Sequence, residues 1–413
     1  MHDLPFIPLR PLIIAELGTG HGGSLSKAKE LVDAALEAGA DCIKFQLVYA
    51  DEILHPNTGV VPLPGGNIRL YDRFKALEMP LAFFADLKAY IEQQGKLFLC
   101  TPFGLRSAQE VASLKPRLMK IASPELNHVP LLKAIAAYEV PTILSSGVSL
   151  LADIEYALSF FSGKAPVCLL HCVTAYPAPE RDYNLRVLEN LQQVFGIPLG
   201  VSDHSMDPVL VPVLATLFGA SVIEKHFCLS RNDPGLDDPI ALPPEDFSRM
   251  VRDVRAAAAE LEPLLTVQGL APGGTTGGAA GGTTGGAAGG SSYEASLASY
   301  RNLMEAPAFI QKRQDILTQL QHERGAAFIE AILGDGVKRL APSEKANYDR
   351  TNRSLHAVRD IPAGKVIEEA DVAILRTEKV LRPGLHPRWL HQVIGRTART
   401  MIPAGEGIRF EDI

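Results

Sequence analysis

The chain reads as an α/β protein: a (β/α)8 barrel followed by a small β-rich domain. Three observations predict this. Eight short apolar runs alternate with helix-length patterns over about 260 residues, the number and length of a TIM barrel. Polar residues stand at the C-terminal ends of nearly all these runs, where a barrel gathers its active site. The last 60 or so residues are rich in turns and carry an internal echo. No Gly-rich fingerprint follows the first run, which argues against an open doubly wound sheet.

The runs come in order. Leu12–Ala15 precedes a helical pattern over Ser26–Ala38, and Cys42–Phe45 leads through a longer connection to Leu81–Gln93. Leu97–Cys100 precedes Arg106–Leu114, Leu118–Ile121 precedes Leu131–Ala137, and Thr142–Leu144 precedes Leu151–Phe160. Val167–Cys172 precedes Leu185–Val194. Ile197–Val201 precedes Asp207–Phe218, and Ser221–Ile223 precedes Pro244–Leu261. Parallel neighbours need such crossovers.

The last two runs carry the densest chemistry. Gly200-Val201-Ser202-Asp203-His204-Ser205 and Ile223-Glu224-Lys225-His226-Phe227 each place a histidine at a strand end. Either histidine alone reads as a strand cap or a packed side chain. On adjacent parallel strands both imidazoles come within reach of one metal ion. Glu16, Lys44, Thr101, Lys120, Ser145, Ser146, His171 and Glu224 stand at other strand ends or beside these histidines. Lys44 and Lys120, on different strands, point to an anionic substrate, a phosphate or a carboxylate. Glu125, in Ser123-Pro124-Glu125, also suits a first-turn acid facing a helix dipole.

Composition bounds the rest. At 413 residues the chain outgrows a single core of ~250–300 residues. A net charge of −7 and a pI near 5.9 argue against a nucleic-acid footprint. Five cysteines without a CxxC pair suit a reducing cytoplasm. No leader pattern and no apolar run of membrane-spanning length is expected. The expected boundaries are a barrel over 1–265, a Gly-rich linker over 266–292, a helical segment over 293–332, a second linker over 333–352 and a small domain over 353–413. Gly273–Ala280 reads GGTTGGAA and repeats at once, with too little apolar surface to fold. In the small domain, Ile361-Pro362-Ala363-Gly364 with Asp371 is echoed at identical spacing by Ile402-Pro403-Ala404-Gly405 with Asp412, which predicts pseudo-symmetry.

The chain resembles the N-acetylneuraminate (sialic acid) synthase family. The resemblance rests on Ile14-Ala15-Glu16-Leu17-Gly18, Ile43-Lys44-Phe45-Gln46, Thr101-Pro102-Phe103, Lys120-Ile121-Ala122-Ser123, Leu170-His171-Cys172 and the two histidine motifs. Leu333-Gly334-Asp335-Gly336, Pro342-Ser343-Glu344 and Arg353-Ser354-Leu355 extend it. It implies a TIM barrel with a C-terminal SAF (antifreeze-like, β-clip) domain, and a transferase that forms a C–C bond between phosphoenolpyruvate and an N-acylated mannosamine-type sugar. It further implies His204 and His226 as ligands of a divalent metal, Mn²⁺ first with Mg²⁺ or Co²⁺ as alternatives. Lys44, Lys120, Ser123 and Ser146 would bind phosphoenolpyruvate, Glu125 would be the catalytic acid, and Glu16 and Glu224 would act as carboxylates near the metal and sugar. Asp237 would hold the sugar hydroxyls, and Arg382 would enter the other subunit's barrel mouth in a domain-swapped homodimer. Taken alone, Arg382 reads as a surface arginine. The sequence differs from the family pattern at Gly20, Gly104, Pro124 and Asp238, all around the expected pocket. A 3-deoxy-ulosonate synthase using phosphoenolpyruvate and a non-catalytic glycan-binding barrel are the competing readings. No nucleic-acid or membrane partner is expected.

Overall fold

The computed structural model describes Phe6 and residues 11–63, 66–267 and 304–413. Eight strands form one sheet: β1 Leu12–Gly18, β2 Cys42–Leu47, β3 Leu97–Pro102, β4 Met119–Ile121, β5 Thr142–Ser145, β6 Val167–Cys172, β7 Leu199–Asp203 and β8 Val222–His226. The order is β3-β2-β1-β8-β7-β6-β5-β4, so the first and last strands pair. Every ladder is parallel, as right-handed β/α crossovers require. Eight helices return the chain: α1 Leu25–Glu37, α2 Leu81–Gln93, α3 Leu105–Ser113, α4 Val129–Ala137, α5 Leu151–Ser159, α6 Val187–Phe195, α7 Leu210–Leu217 and α8 Pro244–Val267.

Strand parity builds two cores and the site together. Ile13, Ala15, Ile43, Phe45 and Ile223 point outward into the layer between strands and helices. Ile14, Cys42, Leu99, Leu118, Ile143, Cys168, Leu170 and Val222 fill the barrel interior with Phe6. Successive side chains alternate faces, so the inward face continues upward two residues at a time. Ile14 leads to Glu16, Cys42 to Lys44 and Gln46, Leu118 to Lys120, Ile143 to Ser145, and Val222 to Glu224 and His226. The polar mouth is thus the top layer of the same faces that pack the interior.

Beyond the barrel, α9 Pro307–Arg324 and α10 Ala326–Leu333 pack on its flank through Phe309, Leu317, Ile329 and Ile332. The helical pattern therefore covers the barrel from Pro307 onward. The Gly-rich stretch 268–292 and the first residues of the helical segment, 293–303, lie outside the described residues. The C-terminal domain holds the antiparallel pair β9 Arg353–Ala357 and β10 Val372–Arg376. Its two echoed turns pair with each other: Ile361 and Ile402 exchange both backbone hydrogen bonds at 2.9 Å. Gly364 and Gly405, at φ 85° and 91°, take the left-handed conformation each turn requires. Ile367 and Ile408 enter the small core from equivalent positions. Among the described residues, no helix is long and apolar enough to cross a membrane.

Candidate active site

The barrel mouth encloses a cavity of about 450 Å³, lined by Glu16, Lys44, Lys120, Ser123, Glu224 and His226 among others. Its electrostatic centre is a carboxylate–ammonium chain. Lys44 Nζ lies 2.7 Å from Glu224 Oε1 and 3.3 Å from Glu16 Oε2, and Lys120 Nζ reaches Glu224 Oε1 across the interior at 3.9 Å. Ser202 Oγ donates to Glu224 Oε1 at 2.9 Å, and Lys120 donates to Ser145 Oγ at 2.6 Å. Gln46 Nε2 donates to Glu16 Oε1 at 2.5 Å.

Two similar carboxylates end up in opposite states. Burial, only partly offset by Lys44, pushes Glu16 up to about 7. Burial would also raise Glu224, but Lys120 and Lys44 overcome it and hold that carboxyl at about 2. Burial brings the Lys120 ammonium down to about 8 despite Glu224. Titratable groups driven apart in this way mark out an acid–base residue beside a fixed charge. Glu224 Oε2 is buried without a hydrogen-bond partner and Glu16 Oε2 has only its 3.3 Å contact with Lys44, and a bound polar ligand would complete both.

The imidazoles of His204 and His226 stand beside this chain with ring centroids 5.3 Å apart. Their surroundings suit a metal ligand pair. His204 Nδ1 lies 2.9 Å from the Val173 carbonyl, which places a proton on Nδ1 and leaves Nε2 as the nitrogen that would ligate. Against burial, Cys172 raises this imidazole, so a metal ion would take the place of its Nε2 proton. Burial, then His204 and Lys44, drives His226 well below its usual range and keeps it neutral. Asp237 Oδ2 is 3.6 Å from His226 Nδ1. Among the described residues, no three His, Cys, Asp or Glu side chains converge as a ready-made metal cage.

Behind the histidines, a second charge pair faces the helix layer. Lys225 Nζ donates to Asp203 Oδ2 and to the Ser205 carbonyl, both at 2.6 Å, while Tyr183 Oη accepts the His204 N–H at 2.7 Å. These bonds tie the two histidine motifs to each other.

Of the expected site residues, Glu16, Lys44, Lys120, Ser123, His204, Glu224, His226 and Asp237 all line the cavity. Three others are placed elsewhere. Ser146 turns away, and its Oγ donates to the Leu170 carbonyl at 3.0 Å. Arg382 stays within the small domain, with its guanidinium on Asp412 Oδ2 at 2.5 Å and on the Gly407 carbonyl. Glu125 is fully buried, and its Oε1 accepts from both Arg353 and Arg376, each at 2.8 Å through Nη2. Its position is that of an anchor between the domains, away from the cavity lining.

Arg376 was not foreseen. It ends β10, opposite Arg353 in register, and it lines the cavity while holding Glu125. Like charges directly opposite in a ladder repel, and Glu125 is the counter-charge that makes the pair tolerable. Gln46 was also missed as a site residue, although strand parity from Lys44 points to it.

Known proteins share this fold. The NeuB family pattern matches residues 31–263 and the SAF domain pattern residues 352–413. The spore coat polysaccharide biosynthesis protein SpsE of Bacillus subtilis is 33% identical over 88% of this chain and 93% of its own. Its crystal structure superposes with a TM-score of 0.72 at 30% identity, covering 98% of this chain and 95% of that one. The N,N'-diacetyllegionaminic acid synthase of Legionella pneumophila is 35% identical over 59% of this chain and 71% of its own. The pseudaminic acid synthase of Campylobacter jejuni is 28% identical over 97% and 96%. With the family pattern spanning more than half its length and its cavity at the mouth of the matched barrel, the chain belongs to the NeuB family, as a barrel enzyme with a C-terminal SAF domain.

Proposed function

We propose that this enzyme is a nonulosonic acid synthase that condenses phosphoenolpyruvate with an N-acylated mannosamine-type sugar and releases phosphate. The observation that carries the reading is the pair of buried lysines, Lys44 and Lys120, set among carboxylates held in opposite states at one barrel mouth.

Lys120, with Ser123 and Ser145 beside it, suits the phosphate and carboxylate of phosphoenolpyruvate, and Lys44 offsets the remaining charge. In the reaction the enol carbon bonds to the sugar's aldehyde carbon, and positive charge develops on the phosphate-bearing carbon. Glu224, kept anionic by its lysines, stabilises that charge. Glu16, in its ionised form, takes a proton from the water that adds there and returns it to the alkoxide left on the former aldehyde oxygen. Phosphate then leaves with C–O cleavage, carrying off the proton of the added hydroxyl as the keto group forms. Asp237 faces the same cavity and would orient sugar hydroxyls. A divalent ion held by His204 and His226, Mn²⁺ in this reading, would supply Lewis-acid polarisation of the aldehyde oxygen when bound.

A homodimer belongs to this reading. A domain swap exchanges identical elements, so the seam around Glu125 would be rebuilt between subunits with the same contacts. Mixing the impaired Arg376→Ala and Glu224→Gln chains should then raise activity above the sum of the two alone, and no gain despite proven subunit exchange would assign the seam to one chain.

The primary test is phosphate release with manganese, phosphoenolpyruvate and a panel of N-acyl hexosamines, with products identified by mass. A nonulosonic acid is expected. Turnover of aldose phosphates alone would make the protein a 3-deoxy-ulosonate synthase, and binding without turnover would make it a glycan-binding barrel. His204→Ala should lower manganese occupancy measured directly by elemental analysis, and unchanged occupancy would remove that histidine from the metal site.

A further inference from the structure

Residues 334–352, which lead from α10 to the SAF domain, run beneath the loops that follow β5 and β6. The connection is made by buried side chains. Glu344 is 1% exposed, and its two oxygens are divided between two loops. Oε1 accepts the Val148 N–H at 3.2 Å, and Oε2 accepts the Thr174 N–H at 3.0 Å. Asn352 Nδ2 donates to the Val148 carbonyl at 2.7 Å, and Asn347 Nδ2 donates to the Thr174 carbonyl at 2.9 Å. Lys338 Nζ donates to the Ser146 carbonyl at 3.0 Å. Both backbone groups of Val148, and both of Thr174, are therefore held by this one segment.

Val148 shows why it needs holding. It is a β-branched residue at φ 44°, in the left-handed region that its side chain disfavours. Such a conformation persists only where its surroundings over-determine it. Those surroundings are Glu344 and Asn352. The strained turn has a use one residue earlier: the Gly147 N–H donates to Ser123 Oγ at 3.0 Å, and a Cβ at Gly147 would collide with Thr174 and Ser123 and crowd Cys172, all on the cavity wall. Ser145, just before the turn, receives the Lys120 ammonium.

We infer that Glu344 is a positioning residue of the active site: by bridging Val148 and Thr174 it sets the two loops that aim Ser123, Ser145 and Lys120 at the anionic substrate. The substrate's identity as phosphoenolpyruvate rests on the proposed function; the bridge does not. A carboxylate is needed because it offers an acceptor to each N–H. Glutamine keeps the shape but turns an amide N–H toward one of them.

The experiment uses the full-length enzyme and the variants Glu344→Gln and Asn352→Ala. Hydrogen–deuterium exchange without substrate reads the bridge itself. Faster exchange confined to residues 146–149 and 172–175 is expected in Glu344→Gln, and at 146–149 alone in Asn352→Ala. Steady-state kinetics read its purpose. Glu344→Gln should raise KM for phosphoenolpyruvate about tenfold, the loss of one hydrogen bond to a charged group, with the sugar KM within about twofold. Unchanged exchange at both loops would overturn the inference. So would loosened exchange across the whole barrel with equal effects on both KM values, which is plain destabilisation. If the wild-type enzyme turns over no sugar with phosphoenolpyruvate, the proposed function fails and the exchange data still decide the bridge.

Discussion

Glu224 and Glu125 begin alike and end differently. Each is a buried barrel carboxylate with one oxygen shared by two cations and the other without a partner. The cations of Glu224 are lysines of the barrel itself, and they face a cavity. Those of Glu125 are arginines of the SAF domain, and Arg353 spends its remaining donors on the Glu52 carbonyl at 2.5 Å and the Phe103 carbonyl at 2.7 Å. A lysine is a point charge that can turn to a substrate, whereas a saturated arginine fork fixes geometry. One region is therefore built to exchange partners and the other to hold them, with Arg376 belonging to both.

The difference is sharpest at the mouth. Glu224→Gln removes the charge that balances Lys44 and Lys120, and should lower kcat/KM on the order of a thousandfold, with a smaller fall in Tm than at the seam because Glu16 stays beside Lys44. Phosphate-release kinetics beside calorimetry check this. A loss of Tm with intact turnover would put Glu224 on the structural side.

The seam should respond the other way. Arg353→Met leaves Glu125 half-paired in a buried site, and breaking such a pair costs about 3–5 kcal/mol. A fall in Tm is expected first, with activity loss following from poor SAF docking. A double variant, Glu125→Met with Arg353→Met, should recover part of that stability because the stranded charge is gone. If the double variant is less stable than either single one, the pair is not what holds the seam. Arg376→Met should fall between the two, at about ten- to a hundredfold in kcat/KM, the worth of one charge-assisted hydrogen bond.

The mouth was legible because its signal is local. Inward residues two apart run from Ile14 to Glu16 and from Val222 to Glu224 to His226, so a correct strand assignment carries its polar tip with it. The seam was not legible, because Glu125 finds Arg353 and Arg376 at separations of 228 and 251 residues and no periodicity encodes that pairing. Arg382 lies between these cases. Within its own chain its partner is Asp412, the echo of Asp371, which accepts from Lys365 at 2.6 Å. The internal repeat held that information: an acid at this position binds a cation of its own domain. Ser146 stays out of the cavity lining for a simpler reason, since parity after β5 gives the inward place to Ser145 and turns its neighbour away.

The smallest expected effect tests the acid–base assignment within the mouth. Glu16 sits at about 7 because burial raises it more than Lys44 and the Gln46 N–H lower it. If its ionised form is the base, kcat/KM should rise with pH through a limb near 7. Gln46→Leu removes a donor that favours the ionised form, so the limb should move to higher pH, by less than about one unit. Stability carries the matching sign. A carboxyl raised from 4.5 to about 7 on folding contributes stability that is fully present below 4.5 and is lost as pH rises through about 7. In the Gln46→Leu enzyme that loss should extend to higher pH, in step with the kinetic limb. A limb that stays in place, or moves to lower pH, would mean that a group other than Glu16 carries the proton.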